Sequence, residues 1–332
     1  MSPTGKVTSL DVAKRAGVSR SAVSRVFTPG ASVSERTAQK VRDAADALGY
    51  RPNVLARAML TGKSKIIGLV VAYLDNHFYP KILELLSEAL EREGYHVLVF
   101  MASHTASDIE DVVSQILDYQ VDGLVLASVA LSSDLADRCR ASGVPVVLFN
   151  RKVEIEGELA VVSDNRTGGQ IVAQHLIDLG RTRIGHIAGW EGASTQRDRE
   201  AGFMEGLRAA GLGLYAREVG DFRLNRAKDA ARRMFDTDAR PDAVFVANDY
   251  MAFGVMDVLR AELGLRVPQD VAVVGFDDVP SAGWPAYDLT TVRQNAAAMV
   301  DATVAALITE ISGERVDAPD PLAVELVKRG TT

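Results

Sequence analysis

A chain of 332 residues is longer than one hydrophobic core usually serves, so two or three compact units are expected. Its 47% hydrophobic and 24% charged content, with 27 Gly and 11 Pro, excludes disordered and fibrous classes, and no run approaches the roughly 20 apolar residues of a membrane helix. The net charge of −7 is unevenly spread: Met1–Lys63 holds four Lys and seven Arg against three Asp and one Glu, a net +7, leaving −14 for the rest. Attraction to phosphate is therefore expected only of the basic head.

The single cysteine, Cys139, excludes an intramolecular disulfide, and the start MSPTGKVTSL lacks the apolar run of a secretion signal. A cytoplasmic protein is expected.

In the head, Leu10, Val12, Ala13 and Ala16, then Val18, Ala22, Val23 and Val26, recur at three- and four-residue steps on either side of Gly17. This predicts two short helices meeting at a tight turn. Thr8 or Ser9 would cap the first and Ser19 the second. Ala13 allows close approach, Gly17 suits the turn, and Val23 fills the space between the helices. The spacing reads as a helix-turn-helix, whose second helix, about Ser19–Phe27, presents its N-terminal residues to base edges in the major groove. Arg20, Ser21 and Arg25 are the candidates for base contact, because Arg can give guanine two parallel hydrogen bonds. Ser19 and Ser24 are placed for phosphates, which set register without reading sequence. A solvated polar face is the plainer alternative.

The segment VSERTAQKVRDAADALGY predicts a third helix, capped by Ser34, with Val41, Ala44, Ala45 and Leu48 on one face. YRPNVLARAMLTGKS follows, and Pro52 and Gly62 delimit a helix of about two turns, too short to persist alone. Such a helix suits folding on DNA or against a twin.

From Ile66 the texture changes. IIGLVVA, HVLVF, GLVLAS and PVVLF predict buried strands, with HFYPKILELLSEALEREG, SDIEDVVSQILDYQ and SSDLADRCRASG as the helices between them. IGHIAG, AVFVAN and VAVVGF begin a second set. The fold class is α/β: an all-α head and hinge helix, then a two-lobed, doubly wound parallel-sheet body. Ligands of such sheets bind at the C-terminal strand ends. The polar residues there are Asp75, Asn76, Asn150, Arg151, Asp164, Trp190, Asn248, Asp249, Asp277 and Asp278.

TSLDVAKRAGVSRSAVSRVF, YRPNVLARAMLTGKS and several body motifs together resemble the lactose-repressor (LacI/GalR) family of bacterial transcription regulators, over nearly the whole chain. The resemblance implies a helix-turn-helix domain over 1–50, a hinge helix over 51–64 and an effector-binding and dimerisation domain over 65–332. Lobe 1 of that domain is about 65–163 plus 293–320, and lobe 2 about 164–292 plus 321–332. It implies a body like periplasmic sugar-binding proteins, crossed three times by the chain, with a small-molecule effector between the lobes. It adds Thr8, Asn53, Ala56 and Met59 to the DNA-binding residues, with Met59 at the minor-groove lever site, where the family usually has Leu. The alternative is that Met59 packs the linker onto the body.

The effector-binding residues it implies include Asp164 in VVSDNRTGG, Arg199 in RDREAGF, Asn248 in VANDYMAFG and Asp277 in VVGFDDVP, with Phe222 as a ring stacked on the ligand. Carboxylates and Asn suit hydroxyl donors, and Arg a carboxylate or ring oxygen. Asp75 and Asn150 join them as strand-end residues, with Phe78 and Tyr79 at the cleft mouth and Trp284 as a further wall. His77 stands where the family has Pro, and would meet an anion or remain a surface residue. The alternative readings are that Asp249 caps its helix, Asp278 braces a loop and Phe222 belongs to the core. The helix from about Tyr79 to Arg92 is a candidate dimer surface or, equally, an ordinary sheet-covering helix.

An enzyme is not expected. The chain has no G-x-G-x-x-G after its first strand, no G-x-x-x-x-G-K-[ST] and no G-x-S-x-G, and its five His and one Cys have no metal-ligand spacing. Gly168 and Gly169 follow a strand and open a helix, which with Asp164 nearby fits a crossover turn better than a phosphate cradle. A plain solute-binding protein of the same body fold would lack the basic head. The reading is a homodimeric or tetrameric repressor that binds double-stranded, pseudo-palindromic operator DNA and is switched by a sugar, sugar acid or similar metabolite, without cofactor, metal or membrane.

Overall fold

The computed structural model describes residues 7–28, 30–51, 63–102, 106–127, 137–139, 141–153 and 157–332. Two compact units divide at Lys65 and Ile66.

The first unit is helical. α1 (Ser9–Ala16), α2 (Arg20–Val26) and α3 (Glu35–Leu48) surround a small core of Val12, Ala13, Val23, Val41, Ala44 and Ala45. Thr8 is the N-cap of α1, and Gly17 ends that helix in the left-handed region, at φ 67°, where a side chain would be strained. Leu10 does not join the core and is 49% exposed. It precedes Val12 by two residues, about 200° of helical rotation, and so lies on the opposite face. Residues 52–62, which include Asn53, Ala56 and Met59 of the expected hinge, lie outside the described residues.

The second unit contains two sheets. The first runs through β1 (Ile66–Val71), β2 (His96–Met101), β3 (Gly123–Ala127), β4 (Val146–Phe149) and β5 (Leu159–Val161), in the order β2-β1-β3-β4-β5 and all parallel. Between these strands lie α4 (Phe78–Arg92) and α5 (Ala106–Asp118). α4 turns Ile82, Leu86, Ala89 and Leu90 inward and leaves Lys81, Glu84, Ser87 and Glu88 exposed, as a sheet-covering helix does. Of the expected helix SSDLADRCRASG, residues 132–136 and 140 lie outside the described residues, while 137–139 and 141 are helical.

The second sheet holds β6 (Ile184–Ala188), β7 (Ala216–Val219), β8 (Ala243–Val246), β9 (Ala272–Asp277), β10 (Thr290–Gln294) and β11 (Val324–Val327). Its order is β11-β10-β9-β8-β6-β7, with only β11 antiparallel. Helices α6 (Asn165–Asp178), α7 (Ser194–Ala209), α8 (Leu224–Phe235) and α9 (Asp249–Asp257) connect it, while α10 (Ala296–Ile311) packs back on α4 and the first sheet. The chain thus passes between the sheets three times, and the crossings are tied together. Leu322 N–H donates to Val162 O at 2.9 Å, Asp164 N–H to Leu322 O at 2.7 Å, and Ser163 Oγ to Gln294 Oε1 at 2.8 Å.

Three strands were not expected from the sequence: β7, β10 and β11. β7 (AREV) and β11 (VELV) are short, partly charged edges without an apolar run. β10 buries Thr290 and Thr291, whose hydroxyls donate to Arg329 O and Asp249 Oδ1. Gly168 and Gly169 form no crossover turn. They lie inside α6, where a Cβ would collide with the Phe276 ring and the Arg199 carbonyl.

Candidate DNA interface and effector cavity

In the head, Ser19 caps α2, its Oγ accepting from Ala22 N–H at 3.2 Å, while Val23 one turn on is buried. That anchoring leaves Arg20, Ser21, Ser24 and Arg25 exposed together. Ser21 Oγ lies 2.9 Å from Ser19 Oγ, and Arg20 Nε donates to Ser9 Oγ at 3.1 Å. Thr8 gives both its N–H (3.0 Å) and its hydroxyl (2.6 Å) to Asp11 Oδ2. These two bonds, the hydroxyl foremost, hold the Asp11 carboxyl below its ordinary range.

In the body, a small, partly open pocket lies between the sheets. Tyr73, Asn76, Tyr79 and Arg151 line it from the first lobe, and Thr195, Arg199, Phe222, Asn248 and Asp277 from the second. Among its lining residues Arg199 is buried, and each of its three nitrogens donates a hydrogen bond: Nε to Asn165 Oδ1 (2.8 Å), Nη1 to Ala247 O (2.6 Å) and Nη2 to Asp277 Oδ1 (3.4 Å). The guanidinium also lies 3.7 Å from the centroid of Phe276. Burial pushes Arg199 below its ordinary pKa, opposed by Asp277. Burial likewise pushes the Asp277 carboxyl up to about 6, against Arg199, the Gln294 amide (2.7 Å) and the Asn76 side chain. Asp277 and Arg199 thus form a buried ion pair at 3.4 Å, in which burial disfavours both charges and each charge favours the other.

Five expected effector residues line this space: Tyr79, Arg199, Phe222, Asn248 and Asp277. Asn248 also caps α9, its Oδ1 accepting from Met251 N–H at 3.0 Å. Phe222, at φ 55°, faces Gly189, where a Cβ would strike the ring. Five others lie elsewhere. Asp75 is exposed and accepts from the Tyr250 hydroxyl, so its neighbour Asn76 enters the cavity instead. Phe78 is buried edge-on against Tyr79, at 5.4 Å. Asn150, at φ 56°, sits behind the wall and donates to Tyr79 Oη at 3.4 Å, while its Oδ1 has no hydrogen-bond partner among the described residues. Asp164 caps α6, accepting from Thr167 N–H at 3.0 Å. Trp284 is 55% exposed and forms no wall; its ring centroid is 6.4 Å from that of His77.

Asp249 does not cap its helix. Fully buried, it accepts from Thr291 Oγ1 at 2.5 Å and Val279 N–H at 3.0 Å, and burial, reinforced by Asp277, raises it well above the carboxylate range. Asp278 braces its loop through Arg293 (2.7 Å) and Arg329 (2.6 Å). Asn76 and Arg151 stand among the strand-end residues already read from the sequence. Tyr73 and Thr195 carry no sequence signal, being single polar residues in loop and helix-start positions. Contacts also bridge the lobes outside the cavity: Tyr250 to Asp75, His77 Nδ1 to Ser281 Oγ at 2.7 Å, and Lys152 Nζ to Asp198 at 2.8 Å.

Residues 8–53 match the family described as bacterial regulatory proteins, lacI family, and residues 173–332 match the periplasmic binding protein-like domain. The ribose operon repressor of Escherichia coli (strain K12) is 34% identical over 289 residues, covering 86% of this chain and 87% of that protein. The transcriptional repressor PurR of Photobacterium profundum is 31% identical over 287 residues, 86% of each chain. Among solved structures, the lac repressor dimer bound to operator and the anti-inducer ONPF is similar with a TM-score of 0.88, at 29% identity, over 98% of this chain and 99% of that one. With a helix-turn-helix head and a two-sheet body matched together over most of its length, the chain belongs to the lacI family of bacterial regulatory proteins.

Proposed function

We propose that the chain is a cytoplasmic transcriptional repressor without catalytic activity. As a homodimer it places two helix-turn-helix heads on successive half-sites of a pseudo-palindromic operator, and it is switched by a small polar metabolite of the sugar or sugar-acid class. The observation that carries this reading is the split ownership of the cavity, four lining residues from one lobe and five from the other. A ligand touching both walls stabilises the closed arrangement of the lobes over the open one, and only such differential binding can shift a conformational equilibrium. The relatives are named as repressors, and the lac repressor was solved as a dimer on operator with an anti-inducer. The exposed polar face of α2 supplies the DNA end of the switch.

In this reading Arg199 and Asp277 orient hydroxyl and ring-oxygen groups, Phe222 and Tyr79 cover apolar ring faces, and Asn248 offers its amide. Arg20, Ser21 and Arg25 read bases; Thr8, Ser19 and Ser24 meet phosphates; Asn53, Ala56 and Met59 act at the hinge. A thermal-shift screen of the full chain against sugars, sugar acids, nucleosides and aromatic acids tests the proposal. A hit must raise Tm by mass action and must also change affinity for a DNA site selected from a random duplex library. A ligand that raises Tm and leaves DNA affinity unchanged would overturn the switch.

A further inference from the structure

We infer that Ser9 is a specificity-determining residue: its hydroxyl positions the Arg20 guanidinium for a guanine in each half-site. The inference rests on the reading of the head as an operator-binding domain and adds a residue outside the recognition helix. Ser9 and Arg20 are the first residues of α1 and α2, eleven positions apart in sequence, and the turn at Gly17 brings the two helix starts together. Arg20 Nε donates to Ser9 Oγ at 3.1 Å.

Such a bond matters because an arginine has many side-chain rotamers, and most of them aim its fork away from a given base. Fixing Nε fixes the plane of the guanidinium and, among the described residues, leaves both Nη groups unspent, and their N–H bonds match the O6 and N7 acceptors on the major-groove edge of guanine. A pre-oriented fork loses less freedom on binding, so the hydroxyl acts through Arg20 on discrimination. The neighbouring Ser21 hydroxyl is turned back onto the cap Ser19, at 2.9 Å, and does not compete for the guanidinium. Ser9 itself is only half-exposed, whereas Arg20 is exposed.

The test uses the purified full chain and a randomised duplex library to obtain the preferred site, then fluorescence anisotropy on that site and its single-base variants. R20A should flatten the preference at one guanine per half-site, roughly five- to a hundredfold, the span of a bidentate Arg–guanine pair. S9A should flatten the same position by about three- to tenfold, leaving other positions and the salt dependence unchanged, while S9T, which keeps the hydroxyl, retains the preference. In the R20A background S9A should add nothing. An S9A protein with an unchanged profile overturns the inference, as does one altered at a different base pair, which would mean Ser9 touches DNA itself. Equal weakening on every sequence also overturns it. If R20A alters no position, the assignment of Arg20 as a base reader fails first.

Discussion

The hydroxyl of Tyr250 donates a 3.0 Å hydrogen bond to Asp75 Oδ2, joining the first turn of α9 in one lobe to the segment after β1 in the other. Burial, with Asp75 acting in the same direction, raises the Tyr250 phenol to about 12, so the group remains a donor throughout the physiological range. Neither residue lines the cavity. The bond thus ties the two lobes together without touching the cavity, and a ligand that needs the lobes held together should bind less well without it. Tyr250→Phe should therefore weaken binding of a screened effector by roughly fivefold, about 1 kcal/mol for one partly solvated hydrogen bond. Calorimetric titration measures this, and an unchanged Kd would show that the closed state does not depend on the contact.

Asp277→Asn keeps the shape of the side chain but removes the charge beside Arg199. Effector affinity should fall at least tenfold, on the order of 1.4 kcal/mol, while affinity for the selected DNA site is retained. Equal affinity for the effector in both proteins would remove Asp277 from the site.

His186 is fully buried. Its Nδ1–H donates to Phe245 O at 2.9 Å and its Nε2 accepts from the Gln196 amide at 3.2 Å, so the ring is held neutral, and burial lowers its pKa from 6.5 to about 4. Between those values the unfolded chain binds the proton and the native one does not. The stability contributed by the neutral ring is thus complete above about pH 6.5 and is lost as pH falls toward 4, on the order of 3 kcal/mol in all. Asp277, raised from 3.8 to about 6, works in the opposite sense, because the native body binds its proton first as pH falls. The Tm difference between the natural chain and His186→Gln should consequently narrow from pH 7 to 4.5. A gap independent of pH would contradict the neutral buried ring.

Helices α6 and α7 cross with backbone nearly touching backbone, and a Cβ on Gly202 would overlap the Arg166 carbonyl. Gly202→Ala must push the helices apart, at a cost of about 1–3 kcal/mol or more. The same displacement would separate Asn165 on α6 from Arg199 on α7, which are joined at 2.8 Å. Both Tm and effector affinity should drop, whereas Gly213→Ala, where a Cβ meets nothing within 4 Å, should leave both near their natural values.

Much of the head was legible because its signals are local. Gly17, the Ser19 cap and the buried Val23 lie within seven residues of one another, and their periodicity fixes the turn. The central strands were legible for a similar reason: buried parallel strands are continuous apolar runs. The edge strands β7 and β11 escaped because each is short and partly charged. Thr290 and Thr291 escaped because their polar hydroxyls are satisfied by partners tens of residues away.

The sequence by itself determined the basic helix-turn-helix, the acidic two-lobed body and the strand ends among which an effector cavity had to lie. Only the tertiary structure decided which member of each strand-end pair faces that cavity. Asn76 enters it while Asp75 meets Tyr250, and Asp277 meets Arg199 while Asp278 is held by Arg293 and Arg329. Adjacent side chains leave the backbone in different directions, so a one-residue difference that sequence pattern cannot resolve separates a cavity-lining residue from a brace. Asp164 and Trp284 show the same limit. Whether a polar or aromatic side chain caps a helix, faces solvent or lines a cleft depends on the neighbours that folding brings to it.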